Sequence, residues 1–169
     1  MVKELREMTG AGIKECKDIL GQADGDMKKA IELLREKGLK VSEKVAGREA
    51  REGRIELYVH AGSRMAAMVE VNCETDFVGR NDEFIALCKD IALHIAAMNP
   101  RYITSEEVPA EEITNSGQPA EKYYEEVVLL QQPFVRDGSQ TIEDKIKAAV
   151  AKLRENIQIR RFVRYELGA

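Results

Sequence analysis

Apolar residues recur at helical spacing through the N-terminal part of the chain and at a spacing of two further on, so two kinds of architecture follow one another. Val2, Leu5 and Met8 share one face of a short helix over residues 2–8. Thr9-Gly10-Ala11-Gly12 interrupts it, and Ile13, Cys16, Ile19 and Leu20 resume the period over residues 13–23. Gly25 suits a positive φ and closes that segment. Asp26 is placed to cap a third helix over residues 27–37, with Ala30, Leu33 and Leu34 facing inward and Gly38 ending it. Residues 39–52 are rich in Lys, Arg and Glu with little sustained period and read as a charged linker, helical in part. The small core of residues 1–38 predicts a unit of marginal stability alone.

From Gly53 the pattern becomes that of strands. Ile55, Leu57 and Val59 alternate with Arg54, Glu56, Tyr58 and His60; then Ala67, Val69 and Val71 alternate with Met68, Glu70 and Asn72. Two such runs predict an antiparallel hairpin. Opposed residues share a face, so matching apolar to apolar sets Ile55 against Val71, Leu57 against Val69 and Val59 against Ala67. His60 then faces Ala66 and Ala61 faces Met65, around a three-residue loop, Gly62-Ser63-Arg64, with Gly62 left-handed.

Asn81 or Asp82 caps a following helix with the stripe Phe84, Cys88, Ile91, Ile95 and Met98, ended by Asn99-Pro100. Residues 101–120 hold Pro109, Gly117 and Pro119 and read as loop with short turns, and residues 120–131 predict a helix ending before Pro133. Thr141-Ile142-Glu143-Asp144 has the form of a capping box ahead of a helix reaching about Arg154. The chain closes on a β-rich run, residues 157–167, with Val163, Tyr165 and Leu167 on one face. That late strand must join the hairpin. Residues 53–169 therefore read as an α+β core, a three-stranded antiparallel sheet covered by helices, behind the three-helix unit.

Composition narrows the function classes. With 169 residues, 33% charged and 44% hydrophobic, the chain can bury a substantial core. A net charge of −4 argues against broad contact with phosphate backbones, so no direct nucleic-acid partner is expected. No apolar run approaches the ~20 residues of a membrane span, and Met-Val-Lys-Glu-Leu-Arg-Glu lacks the apolar stretch of a secretory signal. Cys16, Cys73 and Cys88 are odd in number and scattered, which points away from a disulfide framework and toward a cytoplasmic setting.

The chain also lacks the patterns that carry reactions. His60 and Cys73 fall at opposite ends of the hairpin, and Cys88 and His94 lie on different sides of their helix, so neither a metal nor another cofactor is expected. His94 reads as packed rather than catalytic. Thr9-Gly10-Ala11-Gly12-Ile13-Lys14 only partly matches a phosphate loop and has no strand before it; a tight turn that lets a partner approach its glycines fits better. No nucleophile sits beside a histidine. Arg160-Arg161-Phe162-Val163-Arg164 is basic with an aromatic, but strand alternation explains it. The chemistry is that of a binding protein, not an enzyme.

One loop stands out, Cys73-Glu74-Thr75-Asp76-Phe77-Val78-Gly79-Arg80-Asn81-Asp82, between predicted strand and helix. Such loops present functional side chains. Phe77 falls after the alternation ends, so either it folds back over the core or it projects, with Asp76, into a partner.

Several motifs together resemble the elongation factor Ts family: Leu5–Lys17 (Leu-Arg-Glu-Met-Thr-Gly-Ala-Gly-Ile-Lys-Glu-Cys-Lys), Val71–Val78 (Val-Asn-Cys-Glu-Thr-Asp-Phe-Val), Gln132-Pro133-Phe134-Val135 and Glu155-Asn156-Ile157-Gln158-Ile159-Arg160-Arg161. The resemblance spans nearly the whole chain in order. It implies a nucleotide-exchange factor for elongation factor Tu in its GDP-bound or nucleotide-free form. It further implies that residues 1–38 form a ubiquitin-associated-type domain docking through Arg6, Gly10, Gly12, Ile13 and Lys14. Asp76 and Phe77, flanked by Thr75 and Val78, would enter near the partner's magnesium and phosphate region. The core resembles a short form with one subdomain and no inserted coiled coil, which implies a homodimer formed through sheets of two chains.

Overall fold

Helices begin where the apolar spacing places them. A computed structural model describes residues 1–169; its first helices are α1 (Val2–Thr9) and α2 (Ile13–Gln22), with Gly10 in the left-handed region between them at φ 68°. Asp26 caps α3 (Met27–Val45) by accepting from the Lys29 amide at 3.1 Å. Leu5, Cys16, Ile19, Leu20, Ala23 and Ala30 make a small core among these helices.

The helix expected to end at Gly38 instead continues to Val45. Its continuation is stabilised by tertiary packing: Val41 and Val45 reach the main core, and a Cβ at Gly38 would lie 3.2 Å from that of Ala151. Glycine is kept here by close approach to another helix, not as a stop signal.

The main core is built on a sheet of order β1-β2-β5, from β1 (Glu52–Val59), β2 (Met65–Cys73) and β5 (Gln158–Glu166), antiparallel throughout. Between β2 and β5 run the single turn α4 (Asp76–Gly79), the long α5 (Asp82–Met98), α6 (Ala110–Ser116), α7 (Ala120–Val127), the small hairpin β3 (Pro133–Phe134) and β4 (Asp137–Thr141), and α8 (Ile142–Leu153). Asn81 caps α5 and Asn99 ends it in the left-handed region. The capping box at α8 forms as its residues imply: Thr141 Oγ1 accepts from the Asp144 amide and Asp144 Oδ2 from the Thr141 amide, both at 3.1 Å. α5 covers the inner face of the sheet, α8 packs against α5, and α3 lies along α8.

The hairpin register departs from expectation by one residue. Ile55 faces Glu70, Leu57 faces Met68 and Val59 faces Ala66, while Arg54, Glu56 and Tyr58 face Val71, Val69 and Ala67. A one-residue shift turns every side chain over. On the inner side, β1 is an edge where Arg54 and Glu56 pair at 2.7 Å and Tyr58 Oη lies 3.0 Å from His60 Nδ1. The apolar set of β1 therefore points away from α5. The connection is correspondingly longer, with His60 N–H donating to Met65 O and both Gly62 and Ser63 at positive φ. The expectation failed because matching apolar to apolar assumes that only one face of the sheet is hydrophobic.

The carboxyl-terminal strand joins β2 through a bulge between Glu70 and Val71. It sends Ile159, Phe162 and Arg164 inward and Arg161, Val163 and Tyr165 outward. No helix is long and apolar enough to cross a membrane.

Candidate functional site

Two neighbouring features gather the candidate residues. The first is the turn after β2. Its backbone bends sharply because Thr75 acts as N-cap of α4, accepting from the Val78 amide at 3.4 Å. Cys73 Sγ donates to Thr75 O at 3.1 Å. Burial first, then the charge of Glu155, pushes the Cys73 thiol up to about 11, so it stays protonated at neutral pH and holds the turn. Cys88, pushed up to about 12 chiefly by burial, is similarly inert.

The turn also rests on an unusual backbone contact. Gly79 is buried against Gly53, and a Cβ on it would lie 3.3 Å from Gly53 O. Gly53 itself sits at φ 137°, where a Cβ would come within 2.1 Å of Val71 O. Gly53 excludes a larger side chain and Gly79 leaves little room for one, and together they seat α4 on the end of the hairpin.

With its base held in this way, the turn presents Phe77 outward. The ring is 84% exposed, the largest exposure among the big hydrophobic residues of the chain. Phe77 is therefore not a plug over the core; Val78 turns inward in its place and packs against the main cluster. Asp76 is exposed too, and Arg80 Nη2 donates to its Oδ2 at 2.8 Å. An exposed i,i+4 pair contributes about 0–1 kcal/mol, so Asp76 is readily available to another cation.

The second feature is a groove of about 1370 Å³ between the α1–α2 turn and α8, into which Arg6, Gly10, Gly12 and Ile13 all open. Ile13 and Met8 are more than half exposed. Lys14 is exposed beside the groove but does not line it. The far wall includes Lys147, Lys152 and Arg154. Lys152 bridges the two features: a Cβ at Gly10 would lie 3.3 Å from its Nζ, and that same Nζ pairs with Glu83 in the first turn of α5, just beyond α4. Arg80 falls within the marked loop but was given no role from the sequence, and Glu83 and Lys152 had no signal, since neither belongs to a recognisable motif.

Other candidate groups are committed to the fold. His94 is fully buried: the Val135 amide donates to its Nδ1 at 3.2 Å, so Nε2 carries the proton and donates to Gln132 Oε1 at 2.9 Å. Burial holds its pKa below the usual imidazole range. In the basic run of β5, Arg161 pairs with Glu70 at 2.8 Å and Arg164 Nε donates to Ala96 O at 2.8 Å, which leaves Arg160 outside such pairing.

Comparison with known proteins covers the chain almost end to end. The family model for elongation factor Ts matches residues 3–120 and 116–169. The elongation factor Ts of Heliobacterium modesticaldum is 50% identical over 99% of this chain and 88% of its own length. That of Herpetosiphon aurantiacus is 50% identical over 99% of this chain and 96% of its own. That of Fervidobacterium nodosum is 48% identical over the same shares, 99% and 96%. With the turn and its motif in place and a family match running through both parts of the fold, the chain belongs to the elongation factor Ts family.

Proposed function

We propose that the protein is a guanine nucleotide exchange factor for elongation factor Tu, working without covalent chemistry of its own. The observation that carries the reading is Phe77, an aromatic ring held in solvent at the tip of a rigidly based turn. Exposing such a ring forgoes burial worth about 1.5–3 kcal/mol, which a partner's apolar slot would supply. Insertion beside the partner's magnesium and phosphate region would shift the elements that hold the metal, and loss of that charge loosens a diphosphate. Coupling is reciprocal: the factor weakens GDP binding as much as GDP weakens the factor's. Each ~1.4 kcal/mol of coupling is worth tenfold in affinity.

Residues 1–38 are read as a ubiquitin-associated-type domain that docks on the same partner through Arg6, Gly10, Gly12, Ile13 and Lys14. Residues 39–52 connect it to the core of residues 53–169; α3 crosses the first boundary, so the connection begins as helix. The four of these residues that open into the groove support the assignment.

A homodimer through the outer face of the sheet completes the reading. There Leu57, Met68 and Val163 lie in one row across the strands and Val59, Ala66 and Tyr165 in the next. The same apolar rows on a second copy are self-complementary about a two-fold axis, and the bordering charges Glu70 and Arg161 already neutralise each other.

Release of a fluorescent GDP analogue from elongation factor Tu, with wild type and Phe77→Ala and with melting curves for both, tests the exchange reading. A rate reduced tenfold or more, by about 1.4 kcal/mol or more of coupling, with an unchanged melt is the expected result. An unchanged rate would reject insertion of Phe77.

A further inference from the structure

Where the chain enters the turn, a carboxylate collects three hydrogen bonds from two consecutive residues. Glu155 Oε2 accepts from the amides of Glu74 and Thr75 at 3.0 and 3.1 Å, and its Oε1 accepts from Thr75 Oγ1 at 2.6 Å. The arrangement is reciprocated: Glu74 Oε1 accepts from the Asn156 amide at 2.6 Å and pairs with Arg48 at 3.5 Å. The Asn156 side chain then donates to the carbonyls of Ala46 and Arg48, at 3.3 and 2.7 Å, just after α3 ends. Thus the segment after α8, the turn after β2 and the end of α3 meet in one polar knot.

We propose that Glu155 is a positioning residue for the Asp76–Phe77 turn. This rests on the exchange reading above, and it assigns to Glu155 a role exerted through the turn rather than by contact with the partner. The physical reason is the hydroxyl of Thr75. A hydroxyl has one proton and two lone pairs. An ionised acceptor takes that proton in a short, strong bond. The Thr75 rotor is then fixed, and its oxygen is left as acceptor for the Val78 amide, the bond that caps α4. The same carboxylate binds the two amides immediately before Asp76, so the backbone entering the turn cannot rotate without losing charge-assisted bonds. With its backbone fixed in this way, Phe77 needs little ordering on binding.

Arg154, left-handed at φ 63°, caps α8 and turns the chain so that Glu155 points at the turn. The sequence holds no hint of the pairing, because residues 74–75 and 155 are 80 or more positions apart.

A double-mutant cycle on the full chain tests the proposal, with Glu155→Gln, Glu155→Ala, Phe77→Ala and the combination of Glu155→Ala with Phe77→Ala. GDP-analogue release from elongation factor Tu is followed against factor concentration, well below each variant's melting temperature. Glu155→Ala is expected to lower the maximal release rate about tenfold, since small misplacements of a working group are this costly. Glu155→Gln, which keeps one acceptor oxygen, should fall between it and wild type. The half-saturating concentration should move no more than about twofold, because contacts elsewhere hold the partner. In the Phe77→Ala background, Glu155→Ala should change the rate less than about twofold, as expected for residues acting through one another. Undiminished maximal release by Glu155→Ala, or an effect that multiplies fully with that of Phe77→Ala, would overturn the positioning role while leaving insertion of Phe77 intact. If Phe77→Ala alone were without effect, insertion of Phe77 would be rejected instead. Amide exchange at Glu74 and Thr75 would then decide the anchor by itself: faster exchange in Glu155→Ala supports ordering of the turn, and unchanged exchange rejects it.

Discussion

The two faces of the central sheet use the same kinds of residue to different ends. On the inner face Val69 and Val71 are fully buried beneath α5, along with Phe84, Cys88, Ile91 and Ile95 of that helix. On the outer face Leu57 is 60% exposed and Tyr165 74% exposed, although their rows are as apolar as those within. Burial at about 25 cal/mol per Å² stabilises the fold on one side only. The apolar rows of the other side stay in solvent and contribute no such burial. Phe84 and Phe77 repeat the contrast at close range: seven positions apart, one ring is wholly buried and the other almost wholly in solvent.

The strongest way to break the comparison is to cut into each face in turn. Phe84→Ala should lower stability by about 3–5 kcal/mol in denaturant unfolding, the loss expected for an enclosed ring. Phe77→Ala, measured likewise, should change stability by no more than about 0.5 kcal/mol, as for an exposed position. Equal losses would mean that the two rings do the same work.

Leu57→Lys probes the outer face. It should weaken self-association by about 2 kcal/mol, or roughly thirtyfold in dissociation constant, in sedimentation equilibrium, while the dilute monomer keeps its melt. Unchanged association, or none in the wild type, would reject the proposed dimer through the sheet face.

The inner side should also carry a pH signature. His94 has a folded pKa depressed by burial, so the unfolded chain binds the proton more readily. Its contribution is complete above the unfolded value near 6.5 and is lost as pH falls below it. Chemical denaturation should show stability declining as pH falls below about 6.5, the unfolded imidazole value. His94→Gln should flatten that slope even though it lowers stability at every pH. Asp144 is also held below its usual range, where the Thr141 bonds and Arg35 outweigh burial, but titrates at lower pH and does not interfere.

The smallest effect belongs to a local device on the covered side. Thr141→Ala should cost about 1 kcal/mol by removing the α8 cap, without altering association or exchange.

Legibility in the sequence followed the range of the interaction. The α5 stripe, the Thr141–Asp144 box and the Asp26 cap depend on residues within a few positions, and these were readable; so was the shared face of Val163 and Tyr165, but not that it points outward. The continuation of α3 past Gly38 was not, because it depends on Ala151 and the main core. Nor was the hairpin register: β1 taken alone has one apolar side, and nothing in it says that α5 will lie on the other. At the candidate site, the motif around Asp76 and Phe77 marked the place, but the direction of the ring depended on Gly53 beneath Gly79 and on Val78 entering the core instead.

By itself the sequence left α4, α6 and the β3–β4 hairpin unread but determined the principal helices and the three main strands, the caps of α3, α5 and α8, the α+β class and a family resemblance strong enough to locate the turn. These follow from backbone geometry and periodicity, which act over one or two turns of helix or across a strand. Tertiary structure alone decided which face of β1 stays in solvent, how the α1–α2 turn meets α8, and that Glu155 reaches back to Glu74 and Thr75. Each of those depends on groups distant in the chain competing for the same partners, and such competition is settled only when the chain is packed.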